Sequence, residues 1–554
     1  MSAAPKKSRR WMLLLLAAVL VLAPGAYFLL KPSPFDGKVN ALGLDLAQPD
    51  ALIRSQSLSR LPPDLLRVPL ARDVLTEEFV DYYEQHEQRL ALSGTLRRLA
   101  YEHQLSLPER VLESVFDEPA EVALWRGGDG ALKHFAVAMT RNGLARTLQM
   151  LLPLAPEVQL STVGELHGGK ARLLVLEYGY GHRLLLAARG DRVVALSDPG
   201  MLLQSADEAA EGEEPVQDGA AAAVITRLLD MDADEVSPFA EHFALAAPGG
   251  KGHQLVVGAS FYAMGYQAFA PGVAALDFSF DDQGGWRTAM LVDGAALPAG
   301  GLDGSALWSA LPHGASLCAL APVAWDRLSP LAEKLGVPVE KDKAAGGLGD
   351  LFTGPATVCW YGDSRLYTPL FVATLKADVD AATSARLTTV FGAATGIGGE
   401  VEAEADGSGA DGLRLWRKQV PSVFGSGPAD ERQLVPSLAS SGRLVLFSPD
   451  AALVDKAVDV AAKRYPALAD SLPAASQTIA LLDPAPMAAL LRKEVFAALP
   501  RSEETLLRNA ADAHLLPRLQ VLSSYPALRL VRGGEVAQGR QWQPLQWESA
   551  APRR

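Results

Sequence analysis

Residues 120–140, AEVALWRGGDGALKHFAVAMT, alternate apolar and polar positions on both sides of Gly127-Gly128-Asp129-Gly130. An extended run with period two turns one face to a core, and a Gly/Asp cluster between two such runs reverses the chain. The stretch predicts an antiparallel β-hairpin, and with it a sheet-based body. Residues 143–155 (GLARTLQMLLPLA) then show helical spacing. Residues 172–197 (RLLVLEYGYGHRLLLAARGDRVVALS) read as strands ending in Ser197-Asp198-Pro199, followed by a helical stretch, GMLLQSADEAA, over 200–210. The order is hairpin, helix, strands, helix.

That order recurs. Phe352–Trp360 matches Phe116–Trp125 with one residue missing, and YGDSRLYTPLFVATL (361–375) matches RGGDGALKHFAVAMT (126–140). A helical stretch again follows (AATSARLTTVFGAA, 381–394), and GRLVLFSPDAALVDKAVDVAA (442–462) echoes DRVVALSDPGMLLQSADEAA (191–210). From Trp to Ser the first copy spans 72 residues (125 to 197) and the second 88 (360 to 448). The excess falls largely in TGIGGEVEAEADGSGADG, residues 395–412. A recurring strand-turn-helix order predicts an internal duplication. Before it, residues 51–116 carry apolar positions at helical spacing and predict two or three helices.

The amino terminus sets the location. Lys6, Lys7, Arg9 and Arg10 precede Trp11–Leu30, WMLLLLAAVLVLAPGAYFLL, which at 1.5 Å per residue covers about 30 Å, the thickness of a bilayer's hydrocarbon core. A positive flank stays in the cytoplasm, so the remainder is expected to be exported. A cleaved signal peptide with its small-residue site at Ala23-Pro24-Gly25-Ala26 competes with this. The awkward Pro24 and the continued apolar run through Tyr27–Leu30 favour a retained anchor. Ser8-Arg9-Arg10-Trp11-Met12-Leu13 also partly matches a twin-arginine export signal, without its usual Phe. All three readings export the body.

At 554 residues the chain exceeds one ordinary hydrophobic core, and 49% apolar with 21% charged residues is globular composition. The expected class is α+β: an N-terminal transmembrane helix, then a duplicated extracytoplasmic body of mostly antiparallel sheets with packed helices. Its parts are a cytoplasmic tail (1–10), the transmembrane helix (11–30), a stalk (31–50), a first α+β unit (51–240), a strand-rich connecting region (241–309), a second α+β unit (310–465) and a C-terminal α+β portion (466–554). The net charge is −13; setting aside the four leading cations leaves 47 Lys and Arg against 64 Asp and Glu, about −17 for the body. With no Lys/Arg stripe to neutralise phosphates, nucleic acid is excluded as a partner.

Motifs for chemistry are sparse. Asp230, Asp232, Asp234 and Glu241 have the carboxylate spacing of a calcium loop, but Glu235 stands where a Gly makes the sharp turn and Pro238 occupies the ninth position. A solvated acidic loop leading into a helix through Phe239 fits better. The nine histidines (His86, His103, His134, His167, His182, His242, His253, His313 and His514) form no zinc pair. Gly164–Lys170 has phosphate-loop spacing, yet Ala171 replaces the magnesium-holding Ser/Thr and a strand-like run follows, so a turn between strands is expected. Gly258-Ala259-Ser260-Phe261-Tyr262 lacks the closing Gly of a nucleophile elbow. Trp125 and Trp360 hold equivalent repeat positions and are expected to anchor hairpin packing. No cofactor or metal is assigned. Cys318 and Cys359 sit in strand-like runs; a disulfide requires Cα atoms within about 7 Å, and the sequence leaves that open against two buried thiols.

The run DALIRSQSLSRLPPDLLRVPLARDVLTEEFVDYYEQH (50–86), with GTLRRLAYEHQL (94–105) and FDEPAEVALWRGGDGALKHF (116–135), resembles an uncharacterised proteobacterial family of single-pass inner-membrane proteins. The resemblance extends over most of the body. It implies a setting, the periplasmic face of the inner membrane, near bacterial alpha-2-macroglobulin-like envelope proteins whose genes lie beside those of the family. It supplies no catalytic residues. The function expected is a membrane-anchored periplasmic binding or scaffold protein that assists an envelope partner, such as an alpha-2-macroglobulin-like protein. The alternative is a periplasmic hydrolase acting on peptide or cell-wall material, its site assembled from distant residues.

Overall fold

The computed structural model describes residues 40–58, 60–65, 67–68, 119–127, 132–140, 159–166, 171–178, 182–204, 217–232, 234–247, 252–259, 270–328, 348–395, 402–404, 413–422, 433–473, 477–498, 509, 515–536 and 538–549. The segment expected to span the membrane (11–30), residues 31–39 of the expected stalk, most of the stretch 51–116 and all of the stretch 143–155, both read as helical in the sequence, lie outside these residues. Where 51–116 is described, Ala51–Ser55 is a strand and not a helix. Among the described residues no helix is long and apolar enough to cross a membrane. What is described is mostly antiparallel sheet with helices, in two compact units, one from Pro32–Met264 with Ala274–Leu291 and the other from Gly265–Val273 with Val292–Arg554.

The first unit is built from β1 (Ala51–Ser55), β2 (Ala120–Arg126), β3 (Leu132–Thr140), β4 (Gln159–Glu165), β5 (Arg172–Tyr178), β6 (His182–Arg189), β7 (Arg192–Leu196), β8 (His253–Gly258), β9 (Val273–Phe280) and β10 (Trp286–Asp293). They lie side by side in the order β10-β9-β8-β1-β2-β3-β7-β6-β5-β4. The hairpin read at 120–140 is present, with Ala123 opposite Ala136 and Leu124 opposite Phe135. Helix α1 (Leu61–Leu65) follows β1, and α2 (Gly219–Asp230) and α3 (Pro238–His242) lie between β7 and β8. Asp218 starts α2 by accepting from the backbone N–H of Ala220 and Ala221, and Ser237 caps α3 from Ala240. Buried Ile225, Leu228 and Leu229 form the inner stripe of α2, which packs on β6 and β7.

The second unit comprises β11 (Ala315–Ala321), β12 (Phe352–Tyr361), β13 (Leu370–Leu375), β14 (Glu402–Glu404), β15 (Arg414–Arg417), β18 (Ser437–Ser441), β19 (Leu444–Ser448), β20 (Thr478–Leu482), β21 (Leu528–Arg532) and β22 (Arg540–Ser549). A separate pair, β16 (Val420–Pro421) and β17 (Gln433–Leu434), stands apart from them. The main order is β22-β21-β20-β11-β12-β13-β19-β18-β15-β14. Helices α4 (Ala381–Ala394), α5 (Ala451–Ala461), α6 (Pro484–Ala498) and α7 (Leu516–Ser524) complete it. Leu387 and Phe391 of α4 pack with Trp416, Leu438 and Val445.

Strand for strand, the two orders coincide, and so does the register. Leu124 faces Phe135 in the first sheet, and Cys359 faces Leu370 in the second, both pairs shifted by the same 235 positions as Trp125 and Trp360. Ala136 opposite Leu196 corresponds to Phe371 opposite Phe447. Ala51, between Leu124 and Val257, corresponds to Cys318, between Cys359 and Leu481. Even the β6–β7 and β18–β19 turns agree: each is a two-residue loop whose glycine, Gly190 or Gly442, has φ of +56°, a conformation that matches the right-handed twist of the strands it joins.

Three stretches behave differently from their reading in the sequence. Residues 241–309 supply β8, β9 and β10 to the first sheet, and 466–554 supply β20, β21 and β22 to the second. The helix read at 200–210 is, where described, a short 3-10 turn over Pro199–Met201 capped by Asp198, followed by a bridge from Leu203 to Gln217. Pro199 fixes the first turn, and the backbone of Leu203 is then committed to a strand-like bridge with Gln217; residues 205–216, which include the rest of the expected helix, lie outside the described residues.

Candidate functional site

The end of β1 and the start of β8 put Ser55 directly opposite His253. Ser55 Oγ lies 2.8 Å from His253 Nδ1, and His253 Nε2 lies 3.1 Å from Asp64 Oδ2 on α1. A carboxylate only accepts, so Nε2 carries the proton toward Asp64; a neutral ring then accepts the Ser55 hydroxyl proton at Nδ1. The Ser57 backbone N–H donates to the same Ser55 oxygen at 3.0 Å. Arg67 Nη1 donates to the other Asp64 oxygen at 3.0 Å. The imidazole lies tilted against Phe280 at 5.0 Å, and the approach is close: at Gly252 (φ +130°) a Cβ would stand 2.6 Å from the Phe280 carbonyl oxygen.

These are the residue types and the order of a nucleophile, a base and an orienting carboxylate. The surroundings are those of a structural tie. Ser55 and His253 are each 5% exposed and Asp64 3%. The serine hydroxyl is engaged on both sides, and the ring presents Nδ1 to the serine, whereas a serine hydrolase uses Nε2 there. The trio locks β1, β8 and α1 together. No sequence motif flagged it, because residues 55 and 253 meet only through strand register and residue 64 only through the packing of α1 against them. Ser260, the serine weighed from the sequence, lies outside the described residues.

On the opposite face of the same strands Arg54 Nε pairs with Glu121 Oε1 at 3.1 Å, and its Nη1 donates to the Ala246 carbonyl at 3.0 Å. Glu121 in turn accepts from Ser237. Beside them Asp277 accepts from Ser279 Oγ at 3.0 Å. Burial holds the Asp277 carboxyl above the usual carboxylate range, partly offset by hydrogen bonds from Ser279 and Gln254 and by the charges of Arg287 and Arg54. Its charged form is therefore costly in the fold, and its contribution to stability falls as pH rises from about 4, the unfolded value, through the raised folded value. Asp277→Asn is expected to raise the melting temperature at pH 7 and to flatten the dependence between pH 4 and 7. Thermal unfolding across that range checks it, and a lower melting temperature for the variant at every pH would refute it.

The acidic loop is drawn into ion pairs. Asp230 pairs with Arg189, and Glu241, on α3, pairs with Arg227. Arg227 holds the Glu241 carboxyl below its ordinary range. The Asp232 backbone N–H donates to Glu235 at 3.2 Å, and Asp234 joins neither pair. Among the described residues no group of three or more His, Cys, Asp or Glu is disposed to hold a metal ion. Gly164 and Glu165 end β4 and Arg172 begins β5, its antiparallel partner, so a strand stands where a phosphate loop needs a helix N-terminus. Trp125 donates to the Asp45 carbonyl at 2.9 Å and meets Phe239 edge-on; Trp360 donates to the Leu366 carbonyl at 2.9 Å. Cys318 and Cys359 face each other on β11 and β12 and are joined in a disulfide, their Cα atoms 4.2 Å apart.

Comparison with known proteins places the chain. The model of a family described as an uncharacterised protein conserved in bacteria, DUF2138, matches residues 12–547. The chain is 31% identical over 533 residues to the uncharacterised protein YfaA of Escherichia coli (strain K12), covering 92% of this chain and 91% of that one. Two solved structures of TP0453 are similar at 9% identity: crystal form III covers 46% of this chain and 79% of its own with a TM-score of 0.24, and form IV covers 49% and 83% with 0.21. The chain belongs to the DUF2138 family.

Proposed function

We propose that this member of the family is a binding or scaffold protein of the bacterial inner membrane, anchored by Trp11–Leu30, whose periplasmic body is a duplication of one ten-stranded α+β unit offering paired surfaces to an envelope partner. The observation that carries this reading is what the two sheets have in common and what they do not. They share strand order, register and turns, which are packing features. They do not share chemistry: extending the register puts Pro322 and Gln477 where Ser55 and His253 stand. A body that repeats its surfaces without repeating a reactive site suits recognition better than turnover.

The disulfide supports export, because such bonds persist in oxidising compartments. The partner class we favour is an alpha-2-macroglobulin-like envelope protein. In-membrane crosslinking of the full chain followed by pull-down is expected to recover a specific envelope protein; recovery of none, under conditions that retain known envelope complexes, would overturn the scaffold reading. The hydrolase alternative rests on Ser55, His253 and Asp64. A fluorophosphonate probe is expected to leave Ser55 unlabelled, and labelling abolished by Ser55→Ala would establish the alternative instead. A topology reporter fused at Asp50 is expected to be active only outside the cytoplasm.

A further inference from the structure

We propose that the Cys318–Cys359 disulfide makes the stability of the second sheet, and not of the first, depend on the redox state of the chain's surroundings. Both cysteines are wholly buried, at corresponding positions of adjacent strands. In the first sheet the same two places belong to buried Ala51 and half-buried Leu124, a small and a large apolar side chain with no covalent bond between them. The sequence holds two cysteines, so this tie exists once in the chain. The first sheet is fastened elsewhere, between β1, β8 and α1, by Ser55, His253 and Asp64, a set of hydrogen bonds that exchanges no electrons. Two units of one architecture are thus secured by different chemistry.

The bond closes a loop of 41 residues in sequence separation. Removing that constraint restores freedom to the unfolded chain, which for a loop of this length shifts a folding equilibrium by roughly 10²- to 10³-fold. Formation needs an acceptor of two electrons, here a protein or small-molecule disulfide. The thiolate of one cysteine attacks a sulfur of that disulfide and releases one thiol. The second cysteine's thiolate then displaces the other sulfur, so the chain loses two protons and two electrons while the acceptor becomes two thiols. Both cysteines are covered in the folded sheet, so the exchange runs while β11 and β12 are unpaired. Taken with the export proposed above, on which this consequence rests, the first sheet reaches full stability in either compartment and the second only where oxidants are present.

Hydrogen exchange read by mass spectrometry on the purified full chain, along a urea series with and without the reductant TCEP, tests this. Peptides from β11, β12 and β20 are expected to lose protection at lower urea when TCEP is present, by an amount equivalent to a 10²- to 10³-fold change in opening. Peptides from β1, β2 and β8 are expected to keep their midpoints. The double variant Cys318→Ala/Cys359→Leu, which carries the first sheet's pair into the second, is expected to fold and to respond to TCEP no longer. Three results would overturn the proposal: free thiols in protein purified under oxidising conditions, unchanged second-sheet midpoints once mass measurement shows the bond reduced, or an equal loss in both sheets. None of these depends on a partner, so failure of the scaffold reading and failure of this one are distinguishable.

Discussion

Trp416→Ala is expected to cost about 3–5 kcal/mol and to melt the second sheet well before the first. Trp416 on β15 is 1% exposed and is enclosed by Leu387 and Phe391 of α4 together with Leu438 and Val445 of the sheet. Its side chain is the largest of the fully buried ones among the described residues. The indole Nε1 also donates to Thr388 Oγ1 at 2.8 Å, and that hydroxyl donates onward to the Ser384 carbonyl at 3.0 Å, so the ring is fixed in orientation as well as place. Truncation removes the transfer energy of an aromatic side chain and leaves a cavity that a helix and a sheet cannot both close on. Trp416→Phe keeps most of the volume but not the hydrogen bond, and is expected to cost about 1–2 kcal/mol. Urea unfolding followed by hydrogen exchange resolves the two units; a loss under about 1 kcal/mol for the alanine variant would mean that α4 does not hold the sheet through this residue.

The second large effect is expected at His253. His253→Ala removes a buried ring and strands two polar partners, the Ser55 hydroxyl and one Asp64 oxygen, in a region with little access to water. A cavity together with unsatisfied buried groups should cost about 2–4 kcal/mol. Ser55→Ala removes a smaller group and should cost about 1 kcal/mol through the loss of the hydrogen bonds its Oγ makes with His253 Nδ1 and the Ser57 N–H. Asp64 keeps Arg67 in either variant, which limits the damage. The loss belongs to the first sheet, seen as earlier exchange in β1 and β8. A His253→Ala variant as stable as the wild type would show that the trio contributes no net stability, and would reopen its reading as a reactive site.

Much of the fold was legible locally. The hairpin at 120–140 was readable because period-two alternation and a Gly/Asp turn are properties of neighbouring residues, and β2 and β3 pair antiparallel as expected. The phosphate-loop spacing is a weak signal because Ala171 replaces the magnesium-holding Ser/Thr and a strand-like run follows, and the calcium-loop spacing because Glu235 stands where a Gly makes the sharp turn. Of the helix read after Ser197-Asp198-Pro199, the described part is a 3-10 turn over Pro199–Met201, and Asp218 caps a described helix further on, Gly219–Asp230. Residues 241–309 and 466–554 were set apart for a physical reason. Strands alternate in the same way whichever sheet they join, and nothing in β8 or β20 alone shows that each pairs with the first strand of its unit.

The amino-acid sequence alone determined the mostly antiparallel character of the described body and the sparseness of motifs for chemistry. These are set by short-range patterns of polarity and by turn chemistry, which act within a few residues. Tertiary structure decided which strands are neighbours, and hence everything that depends on contacts between distant positions. It brought Ser55, Asp64 and His253 within hydrogen-bonding distance, gave Cys318 the partner Cys359, and set Ala51 and Leu124 in the matching place of the other sheet. The physical reason is register: a strand's own sequence fixes which face is apolar, but the residue opposite each position is chosen by the packing of the whole sheet.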